Sequence, residues 1–256
     1  MGRYIFIDRN YGRFANQLFP IFKALTILEN KKYEKIYFKN YFQYKDAIKI
    51  RQDIIERLPD AVKEVVEFSP YKYDEKYSNL SEDDECIIIS DLCQDLNDIN
   101  VDIVNKYFNC TESLRNDIRL LYGDVEDLVC IHVRRGDYLN LNNLETYGVL
   151  SREYIIRSME KYFPNCKFIC ISDDIKWCKD NLPNEKVIFA DKTCDVLTDF
   201  YIQTLTKGII CSSSSFSIAG SIINPYRKTI IPYPFFIKED ITEINLIPSW
   251  ADCEYR

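Results

Sequence analysis

The chain is poor in the residues on which many chemistries depend. It has a single histidine, His132, among 256 residues, so no ordinary zinc spacing of histidines and cysteines can be completed. Glycine is scarce at seven residues. Neither G-x-G-x-x-G nor G-x-x-x-x-G-K-[ST] occurs, which excludes an ordinary dinucleotide fingerprint and a P-loop kinase. Positive charge is in deficit, 33 Lys and Arg against 40 Asp and Glu for a net charge of −7. That balance argues against the broad basic surface used to bind nucleic acid, so a local arginine cluster is left to bind a small anion. No stretch approaches the ~18 apolar residues of a membrane-spanning helix, and the apolar run in Met1 to Asp8 is too short for a signal peptide. The expectation is a soluble, cytoplasmic protein that can at most dock peripherally on a membrane surface.

Cysteine is abundant, ten residues, but no C-x-x-C occurs, and a long chain without an export signal is not a small disulfide scaffold. Cys86, Cys130, Cys170 and Cys211 stand inside apolar, strand-like runs, where free thiols act as small hydrophobes. At this length the chain makes one large domain or two of roughly 100–150 residues. Two are expected, residues 1–126 and 127–256.

The organising stretch is Leu128-Val129-Cys130-Ile131-His132-Val133-Arg134-Arg135-Gly136-Asp137-Tyr138. Its first six residues suit a strand buried on both faces. Two guanidinium groups, a glycine and a carboxylate follow without a spacer, at the strand's carboxyl end, where open α/β sheets place their ligands. Adjacent arginines present rigid forks of N–H donors whose charge persists at neutral pH, a match for a diphosphate. The same residues also read as a strand-end salt bridge.

Three further β-loop-α units are legible. Arg3 to Asp8 reads as a strand, followed by the loop Asn10 to Gln17 and a helix from Leu18 to Glu29 with Pro20 in its first turn. Gly12 lets the backbone approach a ligand, and the loop's amides precede a helix N-terminus, where an anion is favoured. Lys167 to Ser172 is a strand ending in Asp173-Asp174 before a helix to Asn181. One carboxylate can cap that helix and the other can accept from a nucleotide's hydroxyls. This is D-D, not D-x-D, and no metal is inferred. Gly208 to Cys211 is read as the final buried strand, followed by Ser212 to Ser217 and a helix from Ile218 to Ile223. Serine hydroxyls and amides gathered at a strand-to-helix turn suit a phosphate, although a plain polar turn fits too. Val187 to Ala190 reads as a strand and Cys194 to Thr206 as a helix containing Asp195 and Asp199. Ile54 to Phe68 looks helical on both sides of Pro59, Glu82 to Glu85 is a solvated turn, Cys86 to Ser90 is a buried strand, and Val101 to Leu121 holds two helices. Residues 31–127 carry no motif, and the tail after Pro234 is unassigned.

Taken together, G-R-F-A-N-Q-L-F at Gly12 to Phe19, H-V-R-R-G-D-Y at His132 to Tyr138, S-D-D-I-K-W-C at Ser172 to Cys178, and D-F-Y-I-Q-T-L followed by S-S-S-S-F-S resemble the α-1,2-fucosyltransferases of glycosyltransferase family 11, in the soluble bacterial form. The resemblance implies a GT-B-like α/β fold, two Rossmann-type domains with parallel sheets facing a cleft, the first on the acceptor side and the second binding GDP. It implies GDP-fucose as co-substrate with no cofactor and no metal, and a galactose-terminated oligosaccharide or glycolipid as acceptor, in O-antigen or capsule assembly. Transfer to the galactose 2-hydroxyl would invert the sugar. Carried over by position, Arg134 and Arg135 would hold the diphosphate and His132 would sit beside the nucleotide. Gly12, Arg13, Asn16 and Gln17 would approach the phosphate and sugar, while Asp173, Asp174, Ser213, Ser214, Ser215 and Phe216 would contact the nucleoside or β-phosphate. Arg134 would stabilise the leaving group. Asp137 is either the general base or the partner that orients Arg135. The chain departs from the family at Thr206-Lys207-Gly208 and Ile218-Ala219, positions on the acceptor side.

Overall fold

Arg3–Ile7 (β1), Lys35–Lys39 (β2), Val66–Ser69 (β3) and Glu85–Ile89 (β4) form a parallel four-stranded sheet in the order β3-β2-β1-β4. The structure, a computed structural model, describes residues 2–8, 12–39, 50–69, 85–91, 93–193, 195–238 and 245–256. Asn10, Tyr11, Cys194 and the acidic turn at Glu82 to Asp84 lie outside the described residues. Contacts divide the chain into two units, Met1–Thr111 and Glu112–Arg256.

In the first unit, Phe14–Lys31 (α1) buries Leu18, Phe19, Ile21, Phe22, Leu25 and Leu28. Those positions recur at three- and four-residue steps, which places them on the helix stripe that faces a core. Phe22 meets Phe108 of Val101–Phe108 (α4) edge to face, with centroids 5.1 Å apart. The helix begins four residues before the expected Leu18, so Pro20 lies inside it instead of in the first turn. With no N–H on Pro20, the carbonyl of Asn16 loses its helical donor. Gln52–Arg57 (α2) and Asp60–Val65 (α3) flank Pro59 as expected, but Val66 to Ser69 is strand, not helix. β-Branched and aromatic residues there gain a partner in β2, and pairing overrides local helical pattern. The expected buried strand at Cys86 to Ser90 is a sheet edge. Cys86 is exposed and Ile88 is 57% exposed, so this thiol is not a core hydrophobe.

The second unit begins with Glu112–Tyr122 (α5), which buries Leu114, Ile118 and Tyr122. The boundary therefore falls at Thr111/Glu112 rather than after residue 126, because α5 packs on Val196–Leu205 (α9) of the second unit. The chain continues through Val129–Val133 (β5), Leu141–Tyr147 (α6), Arg152–Tyr162 (α7), Phe168–Ser172 (β6), Ile175–Asn181 (α8) and Val187–Phe189 (β7). After α9 come Gly208–Ile210 (β8), Ser215–Ile223 (α10), Lys228–Tyr233 (β9) and Asp252–Tyr255 (β10). All six strands are parallel, in the order β10-β9-β8-β5-β6-β7. β8 is thus not the last strand; β9 and β10 extend the sheet beyond it. Every residue of β5 is buried. Winding runs one way from β5 to β7 and the other way from β8 to β10, so the switch point lies between β5 and β8, where such sheets bind ligands.

β10 is a short edge strand, and the one buried side chain in it is a carboxylate that takes three donors. Glu254, 7% exposed, accepts from Arg157 Nε at 2.7 Å, Lys161 Nζ at 2.7 Å and Tyr162 Oη at 3.0 Å. The Lys161 ammonium, followed by Arg157 and Tyr162, holds its carboxyl down to about 2, from an ordinary 4.5. A carboxyl lowered in the folded chain adds stability above its unfolded value and loses it as pH falls toward the folded one. Glu254→Gln should therefore lower the urea midpoint at pH 7, and the gap from the parent chain should narrow between pH 4.5 and pH 3. A gap independent of pH would show that the ionised carboxylate contributes nothing to the fold.

Candidate active site

Three adjacent strand ends of the second unit meet at the switch point. β5 delivers Arg134 to Asp137, β6 delivers Asp173 and Asp174, and β8 delivers Ser212 to Ser214. The loops are sewn together by backbone groups. Ser212 Oγ accepts the Arg134 N–H at 2.9 Å and donates to the His132 carbonyl. The Ser217 hydroxyl accepts the Ser212 N–H at 3.2 Å. Tyr138 Oη donates to the Ser213 carbonyl at 2.9 Å, and the fully buried Tyr154 of α7 donates to the Cys211 carbonyl at 3.2 Å. Buried hydrogen bonds of this kind contribute ~1 kcal/mol each when made, and cost more when one partner is left alone.

The two arginines are held differently. Arg134 is 16% exposed, and both terminal nitrogens are engaged, Nη1 with Asp173 Oδ2 at 2.8 Å and Nη2 with Asp137 Oδ1. Its guanidinium also lies 5.5 Å from the centre of the Tyr138 ring. Arg135 is 15% exposed and bonds Asp174 Oδ2 through Nε at 3.2 Å, while its backbone N–H donates to Asp173 Oδ1 at 2.9 Å. Its guanidinium stacks 4.1 Å from the centre of the Trp177 ring. Asp137 therefore partners Arg134, not Arg135 as one of the two expected roles required.

Asp174 caps α8, accepting the Trp177 N–H at 3.2 Å. Asp173 is committed to the two arginines. Gly136 makes room for it, since a Cβ on Gly136 would stand 2.4 Å from Asp173 Oδ2.

His132 is 6% exposed on β5 and its Nδ1 pairs with Ser217 Oγ. Burial, aided by the Arg134 charge, pushes its imidazole down to about 3, so the ring is neutral. It packs on Phe216 (centroids 5.2 Å apart), which meets Phe200 of α9 at 5.6 Å. α10 starts at Ser215 instead of Ile218, so Ser215 and Phe216 belong to its first turn, and Ser214 caps it by accepting the Phe216 N–H at 3.3 Å. Ser212 and Ser217 hydroxyls are consumed within the protein. Ser213 Oγ is buried without a partner among the described residues. The same α9 turn holds Asp199, a half-buried residue whose Oδ1 is itself buried and unpartnered among the described residues. Burial, then the neighbouring Asp195, raises it to about 7.

In the first unit, Gly12 has φ +65° and a Cβ there would meet Asn16 Nδ2 at 2.2 Å. Gln17 is fully buried and donates to the Gly12 carbonyl at 3.1 Å, so it braces the loop from inside. Asn16 Oδ1 accepts from Gln94 at 3.3 Å, and Arg13 stands exposed at the helix start. No three His, Cys, Asp or Glu residues among those described are grouped to hold a metal ion.

The chain matches Glycosyl transferase family 11 over residues 12–243. It is 27% identical over 174 residues to the O-antigen biosynthesis glycosyltransferase WbnK of Escherichia coli, covering 63% of this chain and 55% of that protein. It is 29% identical over 143 residues to the bovine (Bos taurus) galactoside alpha-(1,2)-fucosyltransferase 1, covering 50% and 39%. The chain thus spans about half the length of these curated relatives or less. In fold it is similar to POFUT1 in complex with GDP-fucose (TM-score 0.54, 11% identity, 90% of this chain and 97% of that one). The NodZ alpha-1,6-fucosyltransferase soaked with GDP-fucose gives a TM-score of 0.51 at 12% identity, covering 88% and 94%. The fold is GT-B-like α/β.

Because His132 is the chain's only histidine, its ring protons are unambiguous in a proton NMR spectrum. They should not titrate between pH 5 and 9, and Ser217→Ala should move the resonance without changing its pH independence. Titration near pH 6.5 would mean that the imidazole meets solvent and that the strand-end packing is wrong.

Proposed function

The chain belongs to glycosyl transferase family 11, and from that membership and the site at the β5–β8 switch point we propose that it transfers L-fucose from GDP-fucose to the 2-hydroxyl of a galactose. The product is an α-1,2 linkage formed with inversion at the sugar, and the acceptor is a galactose-terminated oligosaccharide or glycolipid. The carrying observation is that the two arginines and the serine turn before α10 stand at adjacent strand ends, tied to one another through Asp173 and Ser212. Fixed donors of that kind are what a departing diphosphate requires, and they supply the positive charge without a metal ion or other cofactor. The N-terminus of α10 adds a partial positive charge on the same side. No helix among the described residues is long and apolar enough to cross a membrane; a peripheral, cytoplasmic-face enzyme acting on lipid-linked glycans fits this reading.

In the proposed reaction the bond from the fucose anomeric carbon to the β-phosphate oxygen breaks as the galactose oxygen attacks from the opposite face. Negative charge builds on the β-phosphate, and Arg134 is the group that answers it. In the resting chain Arg134 is shared between Asp137 and Asp173. As the phosphate draws that guanidinium away, the Asp137 oxygen that it held becomes available to the acceptor hydroxyl. It is then suited to take the proton of the acceptor hydroxyl, which couples proton removal to bond cleavage. Phe216, with His132 packed behind it, walls the nucleoside side. Asp199 is an acceptor for the paired N–H donors on a guanine edge.

Three measurements test the reading. With GDP-fucose and a galactoside, Arg134→Ala and Arg134→Lys should each lose ~10²–10³ in kcat while the thermal midpoint holds; near-normal kcat in the lysine variant would remove the forked grip. Turnover should survive a chelator, and a chelator-dead, magnesium-rescued enzyme would defeat the metal-free mechanism. Asp137→Asn should lower kcat by ~10²–10⁴ while GDP binding holds; a variant that turns over at the parent rate would reduce Asp137 to orienting Arg134.

A further inference from the structure

The two arginines of the β5 loop are not equally available to a ligand. Both terminal nitrogens of Arg134 already touch carboxylates, so an anion can reach them only by breaking an ion pair. Arg135 spends Nε on Asp174 and nothing on its terminal nitrogens, which have no partner among the described residues. What keeps that fork from swinging is the Trp177 ring 4.1 Å beneath the guanidinium. The ring is itself immobilised. It packs against the buried core of the second unit, and its backbone N–H is bonded to Asp174, the same residue whose other oxygen takes Arg135 Nε. One carboxylate thus holds both the Trp177 backbone and the Arg135 guanidinium, and the indole face lies against that guanidinium.

We propose that Trp177 is the positioning residue that makes Arg135 the preformed donor fork for the terminal phosphate of a nucleoside diphosphate. The assignment rests on the donor reading above but adds a division of labour to it. Arg135 grips the ground-state ligand without a rearrangement, and Arg134 is released to the phosphate only as charge builds there. A cation over an indole face is held by the ring's quadrupole, and a fork that is already oriented loses less freedom when it binds.

The test is a titration of GDP, GMP and inorganic pyrophosphate into the full chain, its Trp177→Leu and Trp177→Phe variants, and Trp250→Phe, in which Trp177 is the only tryptophan. Trp177→Leu should weaken GDP and pyrophosphate about 5- to 10-fold and GMP less than 2-fold, with Trp177→Phe in between because it keeps an aromatic face. In the Trp250→Phe chain, GDP and pyrophosphate should change the indole emission and GMP should not. Equal weakening of GDP and GMP would mean a structural role, and unchanged GDP binding with unchanged emission would mean none; either overturns the assignment while fucosyl transfer by the parent chain leaves the donor reading standing. A parent chain that binds neither GDP nor pyrophosphate overturns both. Should Trp177→Leu fail to fold, Trp177→Phe and the emission of Trp250→Phe still decide.

Discussion

Two fixed positive charges enclosed by three carboxylates are the constraint to which the second unit is built. Arg134 and Arg135 face Asp137, Asp173 and Asp174, so the resting cluster carries one negative charge in excess. Unit charges 4 Å apart at an effective dielectric near 20 interact by about 4 kcal/mol, enough for each pairing to decide where its side chains point. The geometry follows from that. β6 must end beside β5 so that Asp173 can reach both Arg134 and the Arg135 backbone. Gly136 must lack a side chain because the Asp173 carboxylate occupies its place. The serine turn must close on β5 because Ser212 is the acceptor for the first amide after the strand. A diphosphate arriving here does not meet surplus positive charge; it exchanges one set of anions for another. Selectivity then depends on matching the positions of the displaced oxygens, more than on attraction at a distance.

Such a cluster needs a rigid base. The β5 strand is wholly buried, and the Ile, Val and Phe residues around it contribute roughly 1.5–3 kcal/mol each through burial. The exposed ion pairs elsewhere, such as Arg51 with Asp53, are each worth at most ~1 kcal/mol. The fold therefore comes from the apolar strands, and the charges at their ends act on function. His132 belongs to the base more than to the ligand. Its neutral ring, one edge on Ser217 and one face near Phe216, transmits the position of α10 to the residue two before Arg134.

Much of this was legible because strand-end chemistry lies close together in sequence. The buried run before Arg134, the strand before Asp173 and the strand before Ser212 each show β-branched residues halted by polar ones, and the structure sets all three side by side. Partners distant in sequence were not legible. Nothing local says that Asp137 takes Arg134 instead of Arg135, or that Ser212 and Ser217 spend their hydroxyls on the backbone. At α10 and α1 the helical stripe first shows three and four residues inside the helix, because the small or aromatic first-turn residues, Ser215 and Phe14, do not carry it. Val66 to Phe68 continues a helical pattern, and only the pairing with β2 makes it strand. β10 was unreadable, since Asp252 to Tyr255 has no apolar run and is secured by charges from α7.

Trp177 shows why a motif can be recognised without its working part being understood. Within Ser172 to Cys178 the paired aspartates attract notice, yet neither is free to serve a ligand alone: Asp174 caps α8 and holds Arg135, and Asp173 holds Arg134. The indole three residues later is, among the described residues, the aromatic surface set against Arg135, and it reaches the arginine because one helical turn returns the chain to the same face. The spacing from Asp174 to Trp177 is therefore the spacing of an N-cap to its third helical residue. The same hydrogen bond that starts the helix sets the ring under the guanidinium. A lysine at position 135 would keep the charge and lose both the stack and the fork, so the arginine and the tryptophan constrain each other across two strands.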